Sequence, residues 1–427
     1  MRVPEELIHC IWQHRLYASS TLTCQHGQQL AVISPGQYHQ DAGPDFLFAH
    51  IQMDGQAWHG HVEIHVLSSD WQIHHHEQDP AYNSVILHVV WKDNGSCYAA
   101  DGAEIPTLEL SKYVNHELLR KAHELLNNSH WIPCAYQLKN VPIYIKVQAM
   151  QRMAIERLEI RYEQILDWLK QGRGDWERVT LMLLASSFGM RVNKASMIDL
   201  SQIISLKLIQ KLKHQPLTIT SLFFGQAGFL TAMDLADPYV KKLKIAYEYL
   251  KRCYQLKEMS LFQWKFLRMR PGNFPTFKLA QLCGMYMHQS QWFSTIVEAK
   301  ELTAIFEVLQ QVHVHSYWET HYHFLKISKG HETQISSSLE QALAINCFAP
   351  LRFAYAKHRG DLEGMAIAIQ WLEAIAMEEN VISKRFRKAG MPCYSALESQ
   401  GLLQLRAMYC EPKKCLQCPI GLSILKR

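Results

Sequence analysis

Two patterns of apolar residues divide the chain near residue 140. The first part opens with a helix in which Leu7, Ile8 and Ile11 share one face. Asp54-Gly55 is a turn signal between two strand-like runs and predicts a hairpin. The strand-like runs of this part are residues 29–33, 46–53, 59–66 and 85–91. The last run is almost entirely apolar, which predicts a central strand that is buried on both faces.

Beyond Pro142 the apolar residues follow helical spacing. One long amphipathic helix is predicted to end at Gly172-Arg173-Gly174, and Asp175 is placed to cap the next helix. Helical segments continue to the C-terminus with no convincing strand among them. We therefore predict an α/β domain with a mixed sheet over residues 1–140, followed by an all-helical region over residues 141–427.

Charge is distributed unevenly between these two parts. The overall formal charge is +5, but residues 1–140 contain seven basic and 15 acidic residues, a net charge of −8, and the remainder carries +13. Residues 1–140 also hold 15 of the 23 histidines. Acidic groups and imidazoles in one part and basic groups in the other suggest a cation site beside a polyanion-binding surface; an accident of surface composition is the alternative.

The sequence also indicates where the protein resides. No apolar run approaches the roughly 18 residues that a membrane span needs, and the N-terminus shows no uninterrupted apolar segment of a secretory signal. We expect a cytoplasmic protein without a membrane partner. Its 11 cysteines then predict reduced thiols or metal ligands rather than a disulfide framework.

One strand carries the candidate chemistry. Between residues 58 and 66, His59, His61, Glu63 and His65 alternate with apolar residues, so a period of two places all four on one face. Asp45 begins the preceding strand. A three-residue turn would put it on the same face as Glu63, whereas a two-residue turn would not.

The buried strand adds a further residue to this candidate site. His88 is either a core histidine with a hydrogen-bond partner or a ligand beside Asp45, Glu63 and His65. Two carboxylates suit Mg²⁺ or Mn²⁺, while added imidazoles favour Mn²⁺ or Zn²⁺. A solvated polar sheet face is the structural alternative to a metal site.

Several segments together resemble an uncharacterised bacterial family, domain-of-unknown-function family 2851. The resemblance covers nearly the whole chain and carries no established activity. The segments are Ala42-Gly43-Pro44-Asp45-Phe46, Trp58-x-Gly60-x-Val62-Glu63-Ile64-His65, Ser69-Asp70-Trp71-x-x-His74-x-His76, Ala81–Trp91, Phe224–Gly228, Arg270–Pro275 and the C-terminal cysteines.

A second resemblance carries chemistry. Pro44-Asp45 at a strand start, followed 18 residues later by Glu63-Ile64-His65, is similar to the PD-(D/E)XK signature of restriction-endonuclease-like nucleases. The helix–strand–strand–strand order before Glu63 fits the core of that superfamily. The resemblance implies that Asp45 and Glu63 bind a divalent metal and that the third position orients or activates water. His65 stands where the superfamily has lysine and lacks its fixed charge, which implies either a variant or a decayed site.

The C-terminus contains a second candidate metal site. Cys410, Cys415 and Cys418 lie within nine positions, and the two-residue gap between the last two lets both thiolates approach one metal. A fourth ligand is expected from elsewhere, with Cys393 and Cys134 as the leading candidates. Zinc and an iron–sulfur cluster satisfy this spacing equally well. Some PD-(D/E)XK nucleases carry an iron–sulfur site of one distant and three C-terminal cysteines, and this chain resembles them loosely.

The helical region carries candidate nucleic-acid contacts. Basic residues interleaved with Tyr247, Tyr249, Tyr254 and Trp264 suit a surface that follows a phosphate backbone and stacks bases; a solvated helix face is the alternative. The predicted contacts are Lys241, Lys244, Lys251, Arg252, Arg268 and Arg270.

Three hypotheses about function follow. The leading one is a metal-dependent phosphodiesterase, a nuclease, in which Asp45 and Glu63 hold the metal and His65 orients or deprotonates water. The second is a non-catalytic module that binds nucleic acid or protein and keeps a degenerate site. The third is a zinc-dependent hydrolase of a small substrate, built from the histidines.

Overall fold

The computed structural model describes residues 3–18, 22–231 and 237–427. The chain divides into two compact units. The first contains residues 1–149, 384–392 and 402–427, and the second contains residues 150–383 and 393–401. A mixed sheet at the N-terminus is followed by a predominantly helical region, as the sequence predicts.

The first unit is built on a seven-stranded mixed sheet. Its strands follow the order β1-β2-β4-β5-β6-β9, and β3 pairs with β4. Strands β2, β4 and β5 are antiparallel, whereas β5, β6 and β9 are parallel. The strands are β1 (Leu22–Thr23), β2 (Gln29–Ser34), β3 (Gln37–Tyr38), β4 (Phe46–Met53), β5 (Gln56–Leu67), β6 (Val85–Lys92) and β9 (Thr107–Glu109), with a separate hairpin of β7 (Cys97–Tyr98) and β8 (Glu104–Ile105).

Helices complete the first unit. The helix α1 (Glu5–Gln13) packs against β5, and the short α2 (Asp70–Ile73) follows that strand. α3 (His116–Asn127) packs against the C-terminal α18 (Pro419–Leu425). Leu87, His88, Val89 and Val90 of β6 are fully buried, which confirms the predicted central strand.

The predicted hairpin is confirmed, with an irregularity. Met53 pairs with Gln56, so the turn contains Asp54 and Gly55 alone, both with positive φ. Closer to the start of β4 the register shifts from Ala49↔Gly60 to Phe46↔Val62, which inserts one extra residue into β4. Phe48, with a φ of 56°, lies in this bulge. Because of the bulge, residues at the start of β4 face the same side of the sheet, relative to β5, as they would after a three-residue turn.

The second unit is helical except for one short hairpin of β10 (His321–His323) and β11 (Lys326–Ile327). No strand was expected beyond residue 142, so this hairpin is a correction. Its strands of two and three residues are too short for an alternation of apolar and polar residues to be detected. The predicted long helix α4 (Ile143–Gln171) ends before Gly172, and Asp175 accepts a hydrogen bond from the Arg178 N–H as the predicted cap.

The remaining helices are joined by connections of varying length, and a single apolar core joins α5, α8, α10 and α14. They are α5 (Trp176–Gly189), α6 (Lys194–Ile203), α7 (Leu206–Leu212), α8 (Pro216–Gln226), α9 (Pro238–Tyr254), α10 (Pro275–His288), α11 (Trp292–Glu298), α12 (Leu302–Gln310), α13 (Ser337–Leu343), α14 (Ala349–Arg359), α15 (Leu362–Ala374), α16 (Val381–Lys388) and α17 (Ala396–Leu405). None of the helices in the described ranges combines the length and the apolar character that crossing a bilayer requires.

Candidate metal centre

Asp45 and Glu63 meet where β4 begins. Beyond the bulge the register brings Asp45 opposite Glu63, and directly opposed residues of antiparallel strands project from the same face. The backbone N–H of Asp45 donates to Glu63 Oε2 at 3.1 Å, and Asp45 Oδ2 accepts from the N–H of Ile64 at 3.0 Å. His9 of α1 approaches the same Oδ2 at 3.2 Å. The two carboxylates therefore belong to one constellation.

His65 lies two residues along β5 from Glu63 and shares its face. Both side chains are buried, with 5% of Glu63 and 2% of His65 exposed. His65 Nε2 is 3.6 Å from Glu63 Oε1. His59 and His61, which the alternation places on the same face, lie toward the exposed end of β5, where His59 stacks on His50 and His61 contacts Phe48. They do not join the buried group.

Two further histidines come from the connection after β5. His65, His74 and His76 each offer a ring nitrogen, and these three atoms lie within 4.8 Å of one another. His65 Nε2 is 3.1 Å from His74 Nδ1. His76 Nε2 is 3.3 Å from Glu63 Oε1. Three imidazoles therefore converge beside the Glu63 carboxylate.

Local structure explains how the connection delivers both rings. Asp70, at the start of α2, accepts a hydrogen bond from the N–H of Leu67, which fixes the turn out of β5. Trp71 is buried and contacts the His76 ring at 5.2 Å. His75 lies between the two histidines that approach His65. His74 is exposed and His76 is half-buried, and His75 has a left-handed backbone with a φ of 59°, which carries its own side chain outward.

His76 places one ring nitrogen 3.3 Å from Glu63 Oε1 without forming a well-aligned hydrogen bond. Its ring stacks on Tyr82 at 3.8 Å, which fixes its orientation. Within the described part of the chain, its buried Nε2 finds no hydrogen-bond partner, because its approach to Glu63 does not have hydrogen-bond geometry. A buried nitrogen that is held only by a poorly aligned contact can still accept a ligand. A cation between His76, Glu63 and His65 would provide that partner.

His88 lies behind His65 rather than among the three converging rings. Its Nε2 is 2.8 Å from His65 Nδ1, and its side chain is fully buried on β6. This contact occupies one ring nitrogen of His65 and directs the other, Nε2, toward His74 and Glu63. An imidazole ligand held at its second nitrogen by a hydrogen-bond partner is the usual arrangement in metal sites.

Burial shifts His65 and Glu63 toward their neutral forms. Burial, followed by the neighbouring His76 and His74, lowers the pKa of His65 to about 3. Burial also lowers the pKa of His88 far below its ordinary value. Burial and the nearby Asp45 raise the pKa of Glu63, although contacts with His76 and the Asp45 N–H oppose the rise. A divalent cation would reverse the penalty on the Glu63 carboxylate and would bind the neutral rings.

The donor set indicates which metal fits. Three imidazoles with one carboxylate suit Zn²⁺ or Mn²⁺ better than Mg²⁺, which prefers oxygen ligands. Of the expected Mg²⁺ or Mn²⁺, the geometry therefore favours Mn²⁺, and Zn²⁺ fits as well.

From the sequence, His74 and His76 were only polar residues in a connection. Their His-x-His spacing, directly after a strand that ends in Glu63-x-His65, was the available signal. His9 carried no signal, because its approach to Asp45 depends on how α1 crosses the sheet.

The C-terminal cysteines are placed in the first unit. No disulfide joins any of the 11 cysteines, all of which the structure describes. Cys134, Cys410, Cys415 and Cys418 belong to the first unit, whereas Cys393 belongs to the second.

The predicted nucleic-acid contacts lie in the second unit. Lys241, Arg252, Arg268 and Arg270 are exposed, Lys244 is half-buried, and Lys251 forms an ion pair with Glu258 at 2.7 Å. The expectation that Tyr247 and Trp264 offer stacking faces is wrong. Tyr247 is 1% exposed, and Trp264 is 6% exposed and donates to the carbonyl of Ala227, so both belong to the apolar core.

Fold and site together define a class: a mixed α/β unit with a partly buried cluster of carboxylates and imidazoles, in a chain that is otherwise mainly helical. The chain belongs to the family described as protein of unknown function (DUF2851), whose model matches residues 5–381. The match includes every residue of the cluster and ends before Cys410. Neither the curated proteins nor the solved structures gave a significant match to this chain.

Proposed function

We propose that the first unit is a metal-dependent hydrolase that cleaves phosphodiester bonds in nucleic acid. The observation that carries this proposal is the convergence of three imidazoles, two of which lie within 3.6 Å of the buried Glu63 carboxylate, with Asp45 hydrogen-bonded to the same strand. When bound, a divalent cation would stabilise charge on the scissile phosphate and lower the pKa of the attacking water.

The side chains divide into two roles. His65, His74 and His76 would hold the metal through neutral ring nitrogens, and Glu63 would supply the balancing charge. Asp45 is half-buried, and its Oδ2 is held by the Ile64 N–H and by His9. That fixed carboxylate would orient water or a second cation.

Support for a phosphodiester substrate comes from strand order and charge. Asp45 begins one strand, Glu63 and His65 lie on the next, and α1 packs against that strand, which is the order of a PD-(D/E)XK core. Exposed Arg268 and Arg270 in the second unit would attract a polyanion.

The three-imidazole set favours a second candidate, a zinc-dependent hydrolase of a small substrate. It uses the same ligands but does not need the exposed basic residues of the second unit. A non-catalytic nucleic-acid-binding module is the remaining alternative, and it needs the basic residues but not the cluster.

A cleavage assay separates these functions. The protein is incubated with single- and double-stranded DNA and RNA, and with a small chromogenic phosphodiester, each with Mg²⁺, Mn²⁺ or Zn²⁺. We expect cleavage of at least one nucleic acid with Mn²⁺ or Zn²⁺. Glu63→Gln should reduce cleavage by at least about 100-fold, as removal of one electrostatic group from an active site does, because it removes the charge and keeps an acceptor for the Asp45 N–H.

Glu104→Gln is the matched control. Glu104 lies on β8 beside His26, at the surface and outside the cluster, so its loss should leave cleavage unchanged. Cleavage that survives Glu63→Gln would contradict the proposal. Turnover of the small diester alone would favour the zinc hydrolase, and binding without cleavage under every metal would favour the binding module.

A further inference from the structure

Two arginines of the long helix α4 line one narrow pocket of the second unit. Arg157 and Arg161 are four residues apart, so they project from the same face of the helix in successive turns. Ala154 and Leu158 on this face are buried in the core, which shows that α4 packs into its unit by this side. Both arginines are themselves half-buried. The pocket lies within the second unit and shares no residue with the histidine cluster.

Other elements of the second unit supply the remaining walls of the pocket. Asn346 lies in a π-helical turn, Ala344–Phe348, that joins α13 to α14, and Pro350 follows in α14. Because proline has no N–H, regular α-helical hydrogen bonding cannot continue through this point. π-helical turns of this kind recur at functional sites. Gln400 of α17 completes the polar part of the wall.

Neutral amides hold the two guanidinium groups in place. Arg157 Nε donates to Gln400 Oε1 at 2.6 Å, and Arg161 Nη1 donates to Gln164 Oε1 at 2.7 Å. Gln400 is 9% exposed, and its Nε2 donates to the carboxylate of Glu378, which fixes the orientation of the amide. Within the described ranges, neither Nη group of Arg157 has a hydrogen-bond partner in the protein, so both can donate to a ligand.

The positive charge of the pocket is only partly balanced. Glu378 acts electrostatically on Arg157, whereas Arg161 has no comparable carboxylate among the described residues. Burial lowers the pKa of both guanidinium groups, and the charge of Arg161 adds to the effect on Arg157. Like charges one helical turn apart destabilise a helix, so an anion bound between them would relieve both the repulsion and the cost of burial.

The size and charge of the pocket restrict the ligand. Its free volume is about 20 Å³, slightly more than one water molecule requires, so it admits the oxygens of an anion but no organic body. A carboxylate would balance one guanidinium group. A phosphate group carries up to two negative charges and can therefore balance both.

We infer that Arg157 and Arg161 bind the phosphate group of a small anion, either inorganic phosphate or a phosphomonoester. The phosphate oxygens would enter the pocket between the two guanidinium groups, and any organic substituent would remain at its mouth. Gln400 is a positioning residue for Arg157. This inference does not depend on the proposed hydrolase, whose metal ligands lie in the first unit.

The test is isothermal titration calorimetry of the full chain with inorganic phosphate and with glycerol phosphate. EDTA is present so that the histidine cluster holds no metal. We expect saturable binding of at least one of the two, and the tighter one identifies the source of the phosphate group. Arg157→Gln and Arg161→Gln should each weaken this binding at least about 10-fold, because each removes hydrogen bonds between charged groups. Arg152→Gln, at an exposed position of the same helix, is the matched control and should leave affinity unchanged.

Thermal unfolding separates binding from a purely structural role of the arginines. Without phosphate, Arg161→Gln should unfold at the same temperature as the wild-type protein or at a higher one, because it removes the repulsion between two half-buried cations. It should also lose the rise in unfolding temperature that phosphate causes in the wild-type protein. A lower unfolding temperature, with phosphate binding retained, would show that Arg161 only stabilises the fold and would overturn the inference.

The wild-type titrations keep the inference falsifiable even where a variant fails to fold. Absence of binding by both phosphate compounds would overturn the site itself. Binding of acetate as tight as that of phosphate, or equal weakening by Arg152→Gln, would overturn the assignment of a phosphate pocket. Because the hydrolase is measured by cleavage with metal, and phosphate binding is measured without it, failure of one proposal is distinguishable from failure of the other.

Discussion

At the scale of single residues, the orientation of His65 depends on a side chain that does not itself join the converging group. His88 is fully buried, and its Nε2 contacts His65 Nδ1 at 2.8 Å. This contact leaves His65 Nε2 directed at His74 and Glu63. We therefore regard His88 as a positioning residue for the proposed metal.

Replacing His88 with asparagine tests that role. The shorter side chain cannot reach His65 Nδ1, so we expect metal affinity to fall about 10- to 100-fold, the usual effect of losing an outer partner of a ligating histidine. The measurement is competition with a chromogenic chelator for Zn²⁺ or Mn²⁺. His59→Asn, at an exposed position on β5, makes the same chemical change away from the cluster and should leave affinity unchanged. Equal affinities for the two variants would show that His88 fills the core and does nothing more.

At the scale of elements, the bulge in β4 decides which side chains meet. A two-residue hairpin without the bulge would turn Asp45 to the face opposite Glu63. The extra residue around Phe48 restores the parity, and 70% of the Phe48 side chain is exposed. An exposed aromatic with a positive φ is costly for stability, which fits a feature retained for the geometry of a site.

Close packing of β5 against β6 supplies a prediction at the same scale. A Cβ on Gly60 would lie 2.4 Å from Ile86 Cγ2 and 2.6 Å from the Ser84 carbonyl oxygen. Gly60→Ala should therefore cost about 1–3 kcal/mol of unfolding free energy, because the parallel pair must move apart. Urea denaturation monitors the change.

Gly95→Ala is the control for this substitution, since a Cβ at position 95 meets no atom within 4 Å. It should change the unfolding free energy by less than about 0.5 kcal/mol. If Gly60→Ala also changed the unfolding free energy by less than about 0.5 kcal/mol, the close approach of β5 and β6 would not require glycine in the strand that carries Glu63.

At the scale of the whole molecule, the exposed basic residues of the second unit are the main reason to expect a nucleic-acid partner. The aromatic part of the predicted surface is reduced, because Tyr247 and Trp264 are in the core, while Tyr249 and Tyr254 stay exposed. Exposed Arg268 and Arg270 are the side chains best placed to bind phosphates.

Binding to DNA or RNA should accordingly weaken steeply with salt. Substituting both Arg268→Gln and Arg270→Gln should reduce the slope of log K against log salt by about 2, one unit for each phosphate that is no longer neutralised. Fluorescence anisotropy across a salt series gives this slope. The control replaces exposed Lys326 and Lys329 with glutamine, which removes the same charge near the β10–β11 hairpin. If both pairs lowered the slope equally, net charge rather than a defined surface would govern binding.

Much of the architecture follows from local sequence because the determinants are local. Alternation predicted β5, an apolar run predicted β6, Asp54-Gly55 predicted the turn, and Asp175 predicted a helix cap. These features depend on residues within a few positions of one another, so side-chain period and turn chemistry are sufficient. The short β10–β11 hairpin was missed because strands of this length have no period to detect.

The sequence by itself determined that Glu63 and His65 share a strand face and that three C-terminal cysteines are closely spaced. Only the tertiary structure decided that Asp45 faces Glu63, that His74 and His76 complete the cluster, and that His88 stands behind His65. The physical reason is common to all three. A one-residue bulge, a left-handed residue in a connection and the packing of distant segments each change which groups meet, and none alters the periodicity from which a sequence is interpreted.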